Sequence, residues 1–152
     1  MDRIELIRRV RSLTRDLTNS IFREQDIIDF LNEGIDRLKQ GVPQLQGMKY
    51  LLDGQQEPNL LPKEFHHLLS VYATARCFSQ DERHYQATTF MNEFEVKFEE
   101  FISKIESGEI KIVDDDGFKV TTKHDVDYVD LTPYWNISKK PPDLDEGVEG
   151  VE

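Results

Sequence analysis

Apolar residues recur every three or four positions in four separate stretches of this chain, and each stretch reads as a helix with one buried face. Ile4, Ile7, Val10, Leu13 and Leu17 define the first, predicted over residues 2–17, with Arg3, Arg8, Arg9, Arg11 and Arg15 around the rest of its surface. Ile27, Ile28, Leu31, Ile35 and Leu38 define the second. Arg23 would be a weak N-cap for it, Phe22 and Ile27 the two ends of a hydrophobic staple, and Asp26 a favourable charge in the first turn. Gly41 marks its end, with Pro43 beyond. Pro62 is placed to begin a third helix carrying Phe65, Leu68, Leu69, Tyr72 and Ala75, plus a second apolar line through Val71, Ala73 and Phe78. Apolar over more than half its circumference, this helix belongs at the centre. Ser79 and Glu82 have capping-box spacing and predict a long fourth helix over 80–107. Ala87, Phe90, Met91, Phe94, Phe98, Phe101, Ile102 and Ile105 form its stripe, and Gly108 its stop. Leu69, Tyr72, Phe94 and Phe98 are expected in the core.

Between and after the helices the period changes. Met48 to Leu52 ahead of Asp53-Gly54 suggests a short strand entering a tight turn, with Pro58 confining any return strand to an edge. Past Gly108, residues 109–113 alternate, Asp114-Asp115-Asp116-Gly117 turns, and 118–122 alternate again, which predicts a hairpin closed by a type I′ turn. Residues 125–140 are polar with isolated large side chains, and 141–152 are Pro, Gly and acid, a composition expected to be disordered. The predicted fold is mainly α: a four-helix bundle with a long fourth helix, a small β-hairpin and an extended C-terminal arm. The expected divisions are 2–107 for the bundle, 108–140 for hairpin and arm, and 141–152 for the acidic tail.

The chain has 152 residues, enough for one domain that buries roughly two-thirds of its extended-chain surface without disulfides or metals. No run of about eighteen apolar residues predicts a membrane span. The opening residues have no apolar core behind a basic head, so no signal peptide is expected. Cys77 is the single cysteine, which excludes an internal disulfide and suits a reducing compartment. The formal net charge is −11. Residues 1–108 carry 14 Lys/Arg against 18 Asp/Glu, and residues 109–152 carry 5 against 12. A protein that grips nucleic acid needs a cationic excess on some face, and this chain repels phosphate on average.

Candidate chemistry is sparse. His66 and His67 point about 100° apart on a helix, and His67, Cys77 and His84 lack zinc spacing, so the histidines are expected as surface or boundary residues, with no metal and no cofactor. The consecutive acids 114–116 lack the alternate spacing and twelfth-position glutamate of a calcium loop. Cys77 reads as a small core filler. With no phosphate loop, nucleophile elbow or catalytic constellation, no enzyme is expected. The arginines of the first helix suit carboxylate partners within or between subunits, with DNA phosphate the alternative, and Arg8, Arg11 and Arg15 are expected as intersubunit contacts. Tyr128, Leu131, Tyr134, Trp135 and Ile137 stand in a segment too irregular to build a core of its own. Such side chains are effective anchors on another protein, and the alternative is an arm folded back over its own helices.

The order of these features resembles the adaptor, or head completion, proteins of the head–tail connector in tailed bacteriophages. Asp26-x-x-Asp29-x-Leu31-Asn32-Glu33 is similar to that group's Leu-Asn-Glu signature. An irregular segment with an Asp-Gly turn follows. Leu61-Pro62-Lys63-Glu64-Phe65 then resembles its entry into the central helix, continued by Tyr72-Ala73-x-Ala75-Arg76-Cys77 and a Phe-rich final helix. The resemblance covers about residues 3–107. It implies a virion protein, assembled in the host cytoplasm, that forms a ring, commonly of twelve subunits, under the portal. Such a ring extends the DNA channel without specific DNA binding and offers a platform to the next neck or tail protein. Arms of this group reach onto the portal. The competing reading is a helical interaction or regulatory module outside virions.

Overall fold

Asp2 opens the first helix with a reciprocal capping box. Its carboxylate accepts the Glu5 N–H at 2.8 Å, and the Glu5 carboxylate accepts the Asp2 N–H at 3.0 Å. Helix α1 spans Arg3–Thr14 and ends where Arg15 turns left-handed at φ 59°. It is therefore shorter than the periodicity suggested. Leu6, Ile7 and Val10 form its buried line, while Leu17, beyond the helix, is 77% exposed. A spacing of three and four fits either line, and Leu6 lies inward where Ile4 was expected. The computed structural model describes residues 1–120, which form one unit.

Helix α2 spans Glu24–Gly41 with Arg23 as an N-cap that makes no side-chain bond; Phe22 and Ile27, the two ends of the staple, are both buried. Gly41 is its last residue for a different reason from the one expected. Its φ is not left-handed; instead a Cβ there would stand 2.5 Å from Cζ of Phe98, so glycine lets that ring lie against the end of α2. A 3-10 turn over Pro43–Leu45 follows. No strand forms among residues 46–61, contrary to expectation. Backbone groups there are held by side chains, as described below.

A second 3-10 turn, Lys63–Phe65, begins after Pro62 and leads through His66 into helix α3, His67–Gln80. The regular helix thus starts later than Pro62. Helix α3 packs against α1, α2 and, most extensively, the last helix, and every residue from Leu68 to Ala75 is buried. Its two interior hydroxyls bond back along the helix, Ser70 to the His67 carbonyl and Thr74 to the Ser70 carbonyl, both at 2.7 Å. Because α3 continues to Gln80, Ser79 lies inside it and no capping box forms. The chain reverses at Glu82, φ 58°, with the Arg83 N–H donating to the Phe78 carbonyl at 2.9 Å.

Helix α4 then runs His84–Glu106 and stops at Gly108, φ 78°. Phe94, Phe98 and Phe101 are its buried residues. Phe94 meets Tyr72 edge-on at 5.2 Å and stacks on Phe98 at 5.5 Å, and Phe101 meets Phe65 at 4.5 Å. Past the helix, Ile112 is buried, and Ile110 and Val120 pack on the same core. An isolated antiparallel bridge joins Val113 to Lys119, with no strand among the described residues. The expected type I′ turn is replaced. Of residues 115–117 only Gly117 has positive φ, at 84°, and its N–H donates to the Asp114 carbonyl, the pattern of a three-residue turn closed by a left-handed glycine. The described residues thus form a mainly helical unit of four α-helices with α3 at its centre.

Candidate functional site

The first helix supplies the arginines expected at an interface, and the structure separates them. Arg8 and Arg15 are exposed. Arg11 is buried and engaged within its own chain: Nη1 donates to Asp16 Oδ2 at 2.9 Å and to the Phe22 carbonyl at 3.2 Å. This corrects its assignment as an intersubunit contact. Asp16 also accepts the backbone N–H groups of Ser20, Ile21 and Phe22 at 3.0 to 3.1 Å. Burial raises its carboxyl's pKa, but those three N–H groups and the Arg11 guanidinium outweigh it, so Asp16 titrates below the ordinary 3.8. The loop 15–23 is wound around this one carboxylate.

Polar side chains organise residues 46–61 in the same way. Asn32 accepts the Leu51 N–H at 2.8 Å, and Asn59 accepts the Lys49 N–H at 2.8 Å. Gln56 accepts the N–H groups of Leu52 and Asp53 and donates to the Tyr50 carbonyl. The loop in turn satisfies the start of α1, where the N–H groups of Arg3 and Ile4 donate to the carbonyls of Gln56 and Gly54. Beside Asn32, Glu33 accepts the Tyr72 hydroxyl at 2.9 Å and lies 3.1 Å from Arg76 Nε. Burial, with the Glu33 bond, pushes the Tyr72 hydroxyl up to about 12.

The nucleophilic and titratable groups are quiet. Cys77 is buried, and burial pushes its thiol up to about 12. His66, expected near the surface, is instead 1% exposed, with Nε2 2.9 Å from the Leu61 carbonyl and Nδ1 3.0 Å from the Met1 amine. His67 is half-buried and His84 exposed. Among the described residues no group of three or more His, Cys, Asp or Glu is arranged to hold a metal, and no helix is long and apolar enough to cross a membrane.

Two surface recesses combine apolar and charged side chains. At the C-terminal end of α3, Leu13, Ile21, Phe78 and Phe90 line a recess of about 560 Å³ together with Thr14, Arg15, Arg83 and Gln86. Phe78 and Phe90 stack at 5.6 Å, and the Arg83 guanidinium lies over Phe78. At the other end of α3, the turn 113–118 shares a groove of about 420 Å³ with residues 57–63. Leu60 there sits at φ 62°, the centre of a turn in which the Leu61 N–H reaches the Asn59 carbonyl at 2.7 Å, a strained conformation for leucine. Lys63, Lys111, Glu57, Asp114 and Asp115 all line the groove, so it has no single charge preference. The anchors Tyr128, Leu131, Tyr134, Trp135 and Ile137 lie outside the described residues.

Sequence periodicity could not find Asp16, Asn32, Asn59 or His66, since each acts by hydrogen bonding in or beside a loop. The signal for Asp16 was local: an acid followed by polar residues just past a helical pattern. No family model, curated protein or solved structure matches this chain.

Proposed function

We propose that this chain is a structural virion protein, an adaptor of the head–tail connector type, forming a ring under the portal of a tailed bacteriophage. The observation that carries the reading is an interlock between the two segments on which the resemblance rests. Glu33, of Leu31-Asn32-Glu33, holds Tyr72 and Arg76, of Tyr72-Ala73-x-Ala75-Arg76. Leu31 is fully buried, and Asn32 ties α2 to the irregular segment between them. The residues of the resemblance therefore act as one unit in this fold, which supports reading them as one pattern. The net charge of −11 suits a channel through which DNA slides without being gripped. In this reading the four helices are the bundle of one ring subunit and the bridged turn 113–119 is a short hairpin. Arg8 and Arg15 face a neighbour's acids, and the arm carrying Tyr128, Leu131, Tyr134, Trp135 and Ile137 docks on the portal or a neighbouring adaptor. No cofactor and no catalytic step enters.

Negative-stain images of the full chain mixed with its portal test the proposal. A ring of added density beneath the portal is the expected result. Deleting residues 125–152 should remove docking and leave the helical circular-dichroism signal intact. A full chain that never joins the portal, and instead binds a single non-virion partner, overturns the reading in favour of an interaction module.

A further inference from the structure

We propose that the recess at the C-terminal end of α3 receives the turn 113–118 of a second copy of this chain. The inference rests on the ring reading and supplies its contact. The recess is partly apolar and carries two arginines. Leu13, Ile21, Phe78 and Phe90 line it beside Thr14, Gln86, Arg15 and Arg83, and among the described residues no carboxylate pairs with Arg15. Arg83 is held 2.7 Å from Asp81 and lies over the Phe78 ring, which fixes its guanidinium at the opening. Apolar side chains beside Arg15, with Arg83 close by, suit a segment that is itself apolar and acidic.

The same chain displays one. Phe118 is 71% exposed and Val113 48% exposed, with Asp115 and Asp116 between them. The turn is preorganised: Asp114 Oδ1 accepts the N–H groups of Asp116 and Phe118, and Gly117 supplies the left-handed closure. A rigid turn loses little freedom on docking, and a phenylalanine buries a large area for two rotatable bonds. Among the described residues the one cation paired with Asp115 is Lys49, at 3.9 Å, both exposed, a pair weak enough to exchange for an arginine.

Placement decides the symmetry. The recess lies by Phe78, at the end of α3, and the turn lies against residues 57–63, which lead into its start. Fourteen helical residues, about 21 Å, separate the two ends. One copy's turn therefore cannot fill its own recess. The contact is head-to-tail, between unlike surfaces, the kind that closes into a ring when the rotation per subunit permits.

Sedimentation velocity of the full chain over a concentration series at low salt tests this. Wild type should associate. Phe118→Ala, the pair Asp115→Lys with Asp116→Lys, and the pair Arg15→Glu with Arg83→Glu should each weaken association by roughly tenfold or more. All of these positions are on the surface, and circular dichroism should show wild-type helicity for each. An equimolar mixture of the two charge-reversed proteins should associate again, since each then offers the complement of the other. If wild type associates and the variants do so equally well, this contact is wrong while a ring through another surface stands. If the mixture fails to recover, the pairing of these two patches is wrong. A wild type that stays monomeric also overturns the contact, leaving the ring to the portal experiment alone. If Tyr134→Ala with Trp135→Ala abolishes association and Phe118→Ala does not, the arm is the occupant and the turn is not.

Discussion

Along α3, Leu68, Leu69, Val71, Tyr72, Ala73, Ala75, Cys77 and Phe78 are buried, whereas the loop 15–23 buries only Asp16 and Phe22. Both segments nevertheless have fixed courses. A helix satisfies its own N–H and carbonyl groups, so an apolar surface is all it needs to enter the interior. A loop has no such internal partners. At 15–23 a single carboxylate supplies the acceptors for three consecutive N–H groups, and Arg11 balances its charge. The helix is held by many apolar contacts, some individually large, and the loop by one carboxylate. Losing one contact should weaken the helix packing without changing its course, whereas losing Asp16 should release the loop.

The aromatic contact between α3 and α4 gives the largest expected effect. Phe94 is fully buried between Tyr72 and Phe98. Phe94→Ala should lose roughly 3–5 kcal/mol in urea unfolding, from lost transfer and the cavity left behind. A loss under about 1 kcal/mol would show that the surrounding rings collapse into the space, and that the α3 region is no more tightly specified than the loop.

Asp16→Ala comes next and tests the other half of the comparison. Removing one member of a buried pair strands the other, so a loss of about 3 kcal/mol is expected, with the Ser20–Phe22 N–H groups exchanging rapidly with solvent. Arg11→Met should lose less, because Asp16 keeps three backbone donors. Equal losses would mean that the ion pair, and not the N–H cradle, fixes the loop.

This contrast also explains what the residues disclosed in advance. The stripes of α2 and α4, the buried Leu69, Tyr72, Phe94 and Phe98, the centrality of α3 and the stop at Gly108 all follow from periodicity and chain-stop chemistry, which act locally. The start of α4 did not, because Ser79 and Glu82 fit a capping box only if α3 ends early, and apolar packing carries α3 through them. The expected strand at 48–52 failed for a related reason: Asn32, Asn59 and Gln56 answer the backbone groups that a partner strand would have answered. Of the arginines, Arg11 was misplaced because its partner, Asp16, lies in a turn with no periodic signature. The recess and the turn 113–118 come from separate parts of the chain, so only the fold discloses their complementarity.

Gly41→Ala should have a smaller effect. The new Cβ would meet the Phe98 ring at 2.5 Å, and the ring must shift within a packed stack, a loss of roughly 1–3 kcal/mol. Gly34→Ala is its control: contacts of 3.2 and 3.3 Å to Tyr72 and Leu69 side-chain atoms ask far less movement. If the two variants unfold at the same denaturant concentration, close approach of Phe98 is not the reason for glycine at the end of α2.

The smallest effect lies where the two regimes meet, at His66, a polar ring buried at the entrance to an apolar helix. Its neutral form fits the site, with Nε2–H donating to the Leu61 carbonyl at 2.9 Å and Nδ1 accepting from the Met1 amine at 3.0 Å. Burial is the main cause that sets its pKa below the ordinary 6.5, against the opposing pull of the Leu61 carbonyl. The unfolded chain therefore binds a proton at pH values where the folded chain does not. Stability must then rise with pH across that interval: it is fully present above 6.5 and declines as pH falls from there toward the folded value. The Asp16 contribution has the same sign but a separate window, beginning only below 3.8. His67 is also lowered by burial and shares the upper window, so it is the necessary comparison. His66→Gln retains an N–H donor for Leu61 and removes the titration. Urea midpoints of wild type, His66→Gln and His67→Gln, taken above and below 6.5, should show the decline flattened most by His66→Gln. An undiminished decline in that variant would place the proton elsewhere, and would mean that His66 is accommodated in the interior as readily charged as neutral.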